Sequence, residues 1–265
     1  MTDGIRAKKA FGQHFLADDT VLENIIKNSD IKEDDIILEI GPGKGVLTKT
    51  LAQRAKRVIA VEIDPDMVEC TNRALEGFDN VEIVLGNIIK MDLDELIPKE
   101  SVEGIKVIAN IPYYITTSII EWLLDNCDRI SKAILMVQWE VAEKLTARTK
   151  TSNYSAISAK VSLCSDSKLL FKVPKTAFIP SPKVDSGVVS FEFKGDISDK
   201  KELFMLIDDS FRLRRKNIRN SFKSGSTFRD KNIDEVLSKC NIDPSKRGEE
   251  LNIDDYVKIL QAIKK

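Results

Sequence analysis

The chain has 265 residues and a net charge of −1 at neutral pH, with 42% hydrophobic and 31% charged residues. These proportions are typical of a globular protein large enough for one large and one small domain. No apolar run has the length of a membrane helix and the first residues lack a signal-peptide pattern, so we expect a cytoplasmic protein.

Cysteine and histidine usage excludes several kinds of chemistry. The four cysteines are Cys70, Cys127, Cys164 and Cys240, and none forms a C-x-x-C pair. His14 is the single histidine, so the chain has no histidine cluster. We therefore expect no disulfide framework, no bound metal and no Ser-His or Cys-His nucleophile.

The first part of the chain alternates strand-like apolar runs with helical patterns. The predicted strands are 35–40, 57–63, 80–85, 105–109 and 132–138. The predicted helices run from after Gly45 to about 56, from Asp64-Pro65 onward, over 115–126, and from the last strand to about 147. Such alternation predicts a parallel sheet with helices on both faces.

The pattern changes after residue 149. A helix is predicted over 153–163, strands over 168–173 and 188–193, and then only helices, over 201–211, 216–223, 233–239 and 253–264. We therefore predict a first domain of residues 1–196 and a small all-helical domain of residues 197–265.

A glycine-rich turn, E-I-G-P-G-K-G, follows the first predicted strand. Glycines at a strand-to-helix turn let a ligand approach the backbone. The turn lacks the G-K-[ST] of a P-loop, and it has G-x-G-x-G where dinucleotide folds prefer G-x-G-x-x-G. S-adenosylmethionine is the third ligand class, with its methionine end and ribose against Gly41 and Gly43. Glu62, at the next strand end, is placed to accept the ribose hydroxyls.

Asn87 follows the third predicted strand, in L-G-N-I. Its side chain is suited to meet an adenine amine, with Ile88 covering the adenine face. A simple turn asparagine after Gly86 explains the residue type equally well.

The fourth predicted strand runs into N-I-P-Y-Y, residues 110–114. The Asn110 side-chain oxygen and the Ile111 carbonyl are suited to accept the two hydrogens of an exocyclic base amine. Pro112 fixes the turn, and Tyr113 offers a ring for base stacking, which is worth roughly 1–3 kcal/mol per base. Transfer of a methyl group is then mostly a matter of positioning. Tyr114 is expected to pack at the start of the next helix.

Five stretches together resemble one family, the ribosomal RNA adenine N6,N6-dimethyltransferases of KsgA/RsmA type. The stretches are K-K-A-F-G-Q-H-F-L (8–16), E-I-G-P-G-K-G-V-L-T (39–48), V-E-I-D (61–64), N-I-P-Y-Y-I-T-T (110–117) and F-I-P-S-P-K-V-D-S (178–186). The resemblance implies a class I methyltransferase fold, Rossmann-like α/β, with a small helical C-terminal domain. It also implies S-adenosyl-L-methionine as donor and two adjacent adenosines near the 3′ end of small-subunit rRNA as targets.

The resemblance also implies roles for particular residues. The implied cofactor contacts are His14, Leu16, Gly41, Gly43, Glu62, Asn87 and Asn110. Tyr113 and Phe178 fall where rings sandwich the target base. Asn87 stands where the family usually has Asp, so a charge-assisted bond is lost and weaker cofactor affinity is a hypothesis.

Residues 210–229 contain seven basic residues and no acidic one. The predicted phosphate contacts there are Arg214, Arg215, Lys216 and Arg219, joined by Arg6, Lys8 and Lys9 of the basic N-terminal arm. We expect these residues to hold the RNA backbone of an immature small ribosomal subunit while Asn110 and Tyr113 handle the base.

Two alternatives share most of these features. An Erm-type methyltransferase, which modifies large-subunit rRNA, has the same glycine loop and N-I-P-Y. The F-G-Q-H-F-L opening and Asp185, where Erm relatives commonly carry Asn, favour the small-subunit family. A non-enzymatic nucleic-acid-binding assembly factor on the same fold is the second alternative, and intact Asn110 and Tyr113 argue against it. We expect a monomer that does not associate with membranes.

Overall fold

The structure is a computed structural model that describes residues 12–99, 104–213, 215–228 and 231–265. Four cations of the predicted RNA contacts, Arg6, Lys8, Lys9 and Arg214, lie outside the described residues.

The contacts divide the chain into two units. One unit contains the residues up to Ala142 together with Lys168–Gly195, and the other contains Glu143–Ser167 and Asp196–Lys265. The chain passes into the second unit for good after Gly195, next to the predicted boundary after residue 196. Residues 143–167, which were predicted to be part of the first domain, group instead with the C-terminal helices.

A mixed sheet forms the centre of the first unit. Its strands are β2 (Ile36–Ile40), β3 (Arg57–Glu62), β4 (Val81–Leu85), β5 (Ile105–Asn110), β6 (Ile130–Gln138), β7 (Ser165–Val173) and β9 (Ser186–Phe193). Their order across the sheet is β4-β3-β2-β5-β6-β9-β7. The pairs among β2 to β6 are parallel, and β9 runs antiparallel to β6. A separate two-stranded ladder joins β1 (Phe15–Leu16) to β8 (Phe178–Ile179).

Hydrophobic sequence runs explain the central strands. All five residues of β2, I-I-L-E-I, are buried. A strand covered on both faces has a nearly continuous apolar sequence, as expected for the middle of a parallel sheet. The predicted α/β class is therefore confirmed, and the late strands make the sheet mixed.

The helices flank the sheet and make up most of the second unit. They are α1 (Asp19–Ser29), α2 (Val46–Ala52), α3 (Pro65–Ala74), α4 (Leu93–Leu96), α5 (Thr116–Asp125), α6 (Trp139–Leu145), α7 (Ala156–Cys164), α8 (Lys200–Phe211), α9 (Ile218–Ser224), α10 (Ile233–Lys239) and α11 (Ile253–Lys264). Across the described ranges, no helix is both long enough and apolar enough to cross a membrane.

Helix α1 was not predicted, although its signals are in the sequence. The Asp18 side chain caps the helix, accepting hydrogen bonds from the N–H groups of Thr20 and Val21 at 2.9 and 3.3 Å. Val21 and Ile25 are buried on one face. A cap followed by apolar residues at helical spacing is the usual start of an amphipathic helix.

Helix α2 ends at Ala52 rather than near residue 56 as predicted. The Asn80 side-chain amide donates to the carbonyls of Ala52 and Ala55, at 2.8 and 3.0 Å. These bonds satisfy carbonyl groups that the helix end leaves open, and the chain turns directly into β3.

Contacts between side chains explain why residues 143–167 belong to the second unit. Lys160 of α7 forms an ion pair with Asp208 of α8, with 2.8 Å between Nζ and Oδ2. The ring centroids of Tyr154 and Phe211 are 6.0 Å apart. Within the same unit, the fully buried Tyr256 of α11 joins α8, with its hydroxyl 2.7 Å from the Ser210 hydroxyl.

A buried carboxylate organises the loop after α9. Asp209 is 3% exposed. Its Oδ2 accepts hydrogen bonds from the N–H groups of Ser226 and Thr227, both at 2.9 Å, and from the Thr227 hydroxyl at 2.6 Å. One carboxylate therefore satisfies three donors of this loop.

We predict that Asp209→Ala lowers the free energy of unfolding by about 2–4 kcal/mol, because three donors lose a charged acceptor. Asp208→Ala is the matched control, since Asp208 is exposed and its single ion pair is worth at most about 1 kcal/mol. Urea denaturation followed by circular dichroism measures both. Equal losses in the two variants would contradict the assigned role of Asp209.

Candidate active site

The strand order creates a crevice at one edge of the sheet. β2 lies between β3 and β5 in the sheet. The chain therefore leaves β2 toward β3 and β4 on one side, and the connection after β4 leads back to β5 on the other side. In open α/β sheets, ligands bind where the strand order reverses, outside the carboxyl ends of the strands. A cavity lies there, lined by the residues that follow β2, β3, β4 and β5 and by residues 12–16 of the N-terminal segment.

The glycine turn forms the floor of this cavity. Gly41, Gly43 and Gly45 all have positive φ angles, of 70°, 56° and 75°. Residues with a Cβ rarely adopt this conformation, so the turn requires glycine. The Gly41 N–H donates to the Val61 carbonyl at 2.9 Å, which ties the turn to the end of β3.

Glu62 lies beside the turn and is held by backbone donors. Its Oε1 accepts from the N–H groups of Ile63 and Asp64, at 2.8 and 2.9 Å, and its Oε2 accepts from the Gly43 N–H at 3.3 Å. Burial raises the pKa of this carboxyl, and the three backbone hydrogen bonds oppose the increase. A carboxylate has about four acceptor positions, so Oε2 keeps capacity for a ligand hydroxyl.

Asn87 and Ile88 line the same cavity behind β4. The Asn87 Oδ1 accepts from the Ile89 N–H at 3.2 Å and caps the short 3₁₀ turn Ile88–Lys90. Asn87 is therefore the turn asparagine that the sequence suggested as one alternative, and its side chain also lines the cavity. Ile88 is 3% exposed, so it offers only an edge.

Asn110 is the last residue of β5 and fixes the N-terminal segment. Its Nδ2 donates to the His14 carbonyl at 3.2 Å, which leaves Oδ1 as the acceptor of the amide. Ile111 is buried and donates its N–H to the Met136 carbonyl of β6 at 3.1 Å. The backbone of this motif is therefore hydrogen-bonded to the sheet, and the ring of Pro112 restricts the φ angle of the turn that follows.

Tyr113 is half-buried, and its hydroxyl lies 2.6 Å from the Ser186 hydroxyl. Burial raises the pKa of the phenol, so it stays neutral at physiological pH. The His14 ring stacks on the Tyr113 ring, with centroids 5.7 Å apart and planes 28° apart. The His14 Nδ1 lies 2.7 Å from the Pro180 carbonyl. His14 therefore covers one face of the ring proposed for base stacking.

Phe178, the second predicted ring, does not reach the cavity in this structure. Its side chain is 2% exposed and belongs to a core cluster with Ile25 of α1 and Leu51 of α2. Leu16, its partner in the β1–β8 ladder, does line the cavity. Leu16 packs against the same core cluster as Phe178, and of these two paired residues only Leu16 also lines the cavity.

Two cavity residues were missed or misassigned from the sequence. Tyr114 was expected to pack, but it is 52% exposed and lines the cavity, with its ring against Gly12. Glu39 was quoted only as part of the motif, yet it is 1% exposed and lines the cavity. The signal for Glu39 is an acidic residue inside an otherwise apolar strand.

The basic segment is partly neutralised by the fold of the second unit. Arg219 forms a two-pronged ion pair with Asp234, with both distances 2.6 Å. Arg219 stays a predicted phosphate contact, and Asp234 competes with phosphate for its guanidinium. Arg215 and Lys216 are exposed, and neither forms an ion pair with an acid in the described part of the chain.

Known proteins resemble this chain over nearly its whole length. The family model for ribosomal RNA adenine dimethylase matches residues 4–265. The ribosomal RNA small subunit methyltransferase A of Alkaliphilus oremlandii is 39% identical over 255 residues, covering 94% of this chain and 88% of the relative. The protein of the same name from Geobacter metallireducens is 39% identical over 266 residues, covering 98% and 97%.

Solved structures share the fold. A dimethyladenosine transferase from Plasmodium falciparum has a TM-score of 0.82 and 29% identity, covering 95% of this chain and 98% of that one. The 23S rRNA methyltransferase ErmE has a TM-score of 0.71 and 23% identity, covering 95% and 100%. The fold is thus that of a Rossmann-like methyltransferase with a helical C-terminal part, as predicted. The chain belongs to the ribosomal RNA adenine dimethylase family, which confirms the resemblance found in its motifs.

Glu39 generates a prediction about stability without ligand. Burial raises its pKa from 4.5 to about 8, with the neighbouring Glu62 charge adding to the increase. The folded state therefore keeps a proton that the unfolded state releases above about pH 4.5. The native state loses stability as the pH rises from about 5 to about 8.

We predict that Glu39→Gln removes this loss of stability. The melting temperature of the variant minus that of the wild type therefore increases from about pH 5 to about pH 8. Glu121→Gln, on an exposed helical position, is the control and follows the wild type. Calorimetric melting at about pH 5 and about pH 8 measures the effect. A difference between Glu39→Gln and wild type that does not vary with pH would refute the assignment.

Proposed function

We propose that the protein transfers methyl groups from S-adenosyl-L-methionine to the N6 amines of two adjacent adenosines near the 3′ end of small-subunit (16S) rRNA. The product is N6,N6-dimethyladenosine. One observation carries the proposal: Asn110 to Tyr113 line the same cavity as the glycine turn and Glu62. Membership of the ribosomal RNA adenine dimethylase family and the names of the relatives support it.

The residues present fit the donor. The glycine turn lines the cavity, Glu62 keeps an acceptor for the ribose, and Glu39 has a buried oxygen without a hydrogen-bond partner. When bound, S-adenosylmethionine supplies an electrophilic methyl group. In the proposal, Leu16 and Ile88 contact the apolar parts of the donor, and the Asn87 side chain contacts the amine of its adenine. Weaker affinity from Asn87 in place of Asp stays a hypothesis.

Asn110 and Ile111 hold the target amine. The Asn110 Nδ2 donates to the His14 carbonyl, which leaves Oδ1 to accept one hydrogen of the target amine. The Ile111 carbonyl accepts the second amine hydrogen. These two acceptors orient the nitrogen lone pair toward the methyl group, and catalysis is mostly positional. The product amine loses its extra proton readily, so no dedicated base and no metal are required.

Tyr113 stacks the target base, held in place through its hydroxyl contact with Ser186. His14 now lies on one face of the ring, so the base uses the opposite face or displaces His14. Phe178 as the second ring of a sandwich requires it to leave the core. Arg215 and Lys216, with Arg214 and the N-terminal cations, hold the RNA backbone. We further propose a monomer that works in the cytoplasm, where immature small subunits are assembled.

The test is transfer of radiolabelled methyl groups to small subunits from a strain that lacks this modification. Label in dimethyladenosine of the small-subunit rRNA is the expected result. Label in naked large-subunit rRNA instead supports an Erm-type activity, and no label with either substrate supports a non-enzymatic assembly factor. Both of these outcomes overturn the proposal.

We predict that Asn110→Ala lowers kcat by about 10²-fold, because the amine loses its orientation. Tyr113→Ala raises KM, because it removes a stack worth roughly 1–3 kcal/mol, whereas Tyr113→Phe keeps the ring and loses only the Ser186 contact. Steady-state kinetics of the three variants separate the two roles. Equal losses in Tyr113→Phe and Tyr113→Ala would argue against stacking.

Charge reversal of Arg215 and Lys216 together is predicted to weaken RNA binding and flatten its salt dependence. Two lost phosphate contacts lower the slope of log K against log salt by roughly 1.4 to 1.8. Reversal of Lys239 and Lys258 changes the net charge equally and is the control. Filter binding across a salt series gives the slopes. An unchanged slope in the Arg215/Lys216 variant means that these cations do not contact phosphate.

A further inference from the structure

The first unit contains a basic stretch that none of the roles above uses. Residues 167–184 include four lysines and no acidic residue. They form most of β7, the two-residue strand β8 and the chain that leads into β9. We refer to residues 174–185 as the lysine loop. Basic stretches without acids are typical of surfaces that bind nucleic acid.

The Asp185 carboxylate holds the two ends of the lysine loop together. Its Oδ1 accepts a hydrogen bond from the Lys175 N–H at 3.0 Å, and its Oδ2 lies 3.0 Å from the Lys172 Nζ. The Ser181 hydroxyl donates to the Lys175 carbonyl at 2.8 Å. Because Lys183 lies between Ser181 and Asp185 in the chain, these bonds bring Lys175 and Lys183 to the same part of the loop.

Two lysines of the loop keep their charge available to a ligand. Lys175 and Lys183 are exposed, and neither forms an ion pair within the described residues. Lys172 differs, because its Nζ contacts both Asp185 and the Trp139 ring, 4.9 Å from the ring centroid. The one acid of the loop is therefore paired with Lys172, and the loop presents two cations to solvent.

The same loop also exposes apolar surface. Ile179 is 67% exposed and Val184 is 43% exposed. Lysine is depleted at interfaces between proteins, so apolar side chains beside two unpaired lysines fit a nucleic-acid strand better than a protein partner. Such a strand offers phosphates to the cations and sugar and base faces to the apolar groups.

The lysine loop lies directly beside the ring proposed for base stacking, in the same unit. Ser186, which follows the loop, places its hydroxyl 2.6 Å from the Tyr113 hydroxyl. The Pro180 carbonyl lies 2.7 Å from the Nδ1 of His14, whose ring stacks on Tyr113. Lys183 is three residues before Ser186, at most about 11 Å along the chain. The two cations are therefore close to the place where the target base is expected to enter.

We propose, on the basis of the proposed function, that the lysine loop binds the RNA strand that immediately flanks the two target adenosines. Lys175 and Lys183 contact phosphate oxygens, and Ile179 and Val184 contact the sugars or base faces of the flanking nucleotides. These contacts position the strand without reading its sequence.

Lysine suits a strand that has to move between two reactions. Two adjacent adenosines enter one cavity in turn, so the strand shifts by one nucleotide between them. An ammonium group is a compact charge on a flexible stem, and it can follow a phosphate through such a shift. A two-pronged arginine contact would instead favour a single register.

Filter binding of small subunits from a strain that lacks the modification tests this proposal across a salt series. Lys175→Gln combined with Lys183→Gln removes two charges and keeps long polar side chains. Two lost phosphate contacts lower the slope of log K against log salt by roughly 1.4 to 1.8. The affinity advantage of the wild type over this variant therefore shrinks about tenfold between about 50 and about 200 mM salt.

Lys32→Gln combined with Lys56→Gln is the matched control. Both lysines are exposed, and they lie next to Asp35 at the opposite end of β2 and β3. This variant loses the same charge from the same unit and is expected to keep the wild-type slope. Unchanged affinity of both double variants for S-adenosylmethionine, measured by calorimetry, shows that their fold is intact.

A synthetic 3′ fragment of small-subunit rRNA locates the contact. Methylphosphonate linkages on either side of the adenosine pair remove the charge of the flanking phosphates. These linkages are expected to weaken binding by the wild type and by the control variant. They cause no further loss in the Lys175/Lys183 variant, because its contact with these phosphates is already absent.

Four results overturn the proposal. They are an unchanged salt slope in the Lys175/Lys183 variant, no loss by the wild type on the neutral linkages, additive losses from the variant and the linkages, and weaker binding to small subunits with normal binding to the naked fragment. The last result assigns the loop to a ribosomal protein. Failure of the proposed function looks different, because the wild type then transfers no methyl group to small-subunit rRNA.

Discussion

The site depends on two hydrogen bonds that join the glycine turn to the end of β3. The Gly41 N–H donates to the Val61 carbonyl, and the Gly43 N–H donates to the Glu62 carboxylate. These bonds fix a turn of positive φ angles at the point where the strand order reverses. Because the turn, Glu62 and the end of β5 are then at one edge of the sheet, the residues proposed to bind the donor and those proposed to hold the target amine line a single cavity.

Asn110 connects this edge to a segment nearly a hundred residues earlier. Its donation to the His14 carbonyl positions the N-terminal segment as a wall of the cavity, and the same bond determines which amide atom remains an acceptor. His14 in turn stacks on Tyr113. The segment proposed to cover the donor and the ring proposed to stack the base are therefore in direct contact.

Acidic groups play opposite roles in the two units. In the first unit, Glu39 is buried with no ion pair to a cation among the described residues, and burial raises its pKa to about 8. In the second unit, Asp234 neutralises Arg219, which reduces the number of cations available to RNA. Because Arg215 and Lys216 stay exposed and unpaired within the described residues, the RNA-binding potential concentrates at the start of the basic segment rather than along α9.

The sequence by itself determined the alternation of strands and helices, the glycine turn, the acid at the end of β3 and the N-I-P-Y motif, because these depend on local spacing and residue type. It also determined the family. Only the tertiary structure decided that Arg219 meets Asp234, that Phe178 lies in the core and that Glu39 is buried without an ion pair among the described residues. Each of these depends on which residues, distant in sequence, become neighbours, and no local pattern encodes the presence or absence of such a partner.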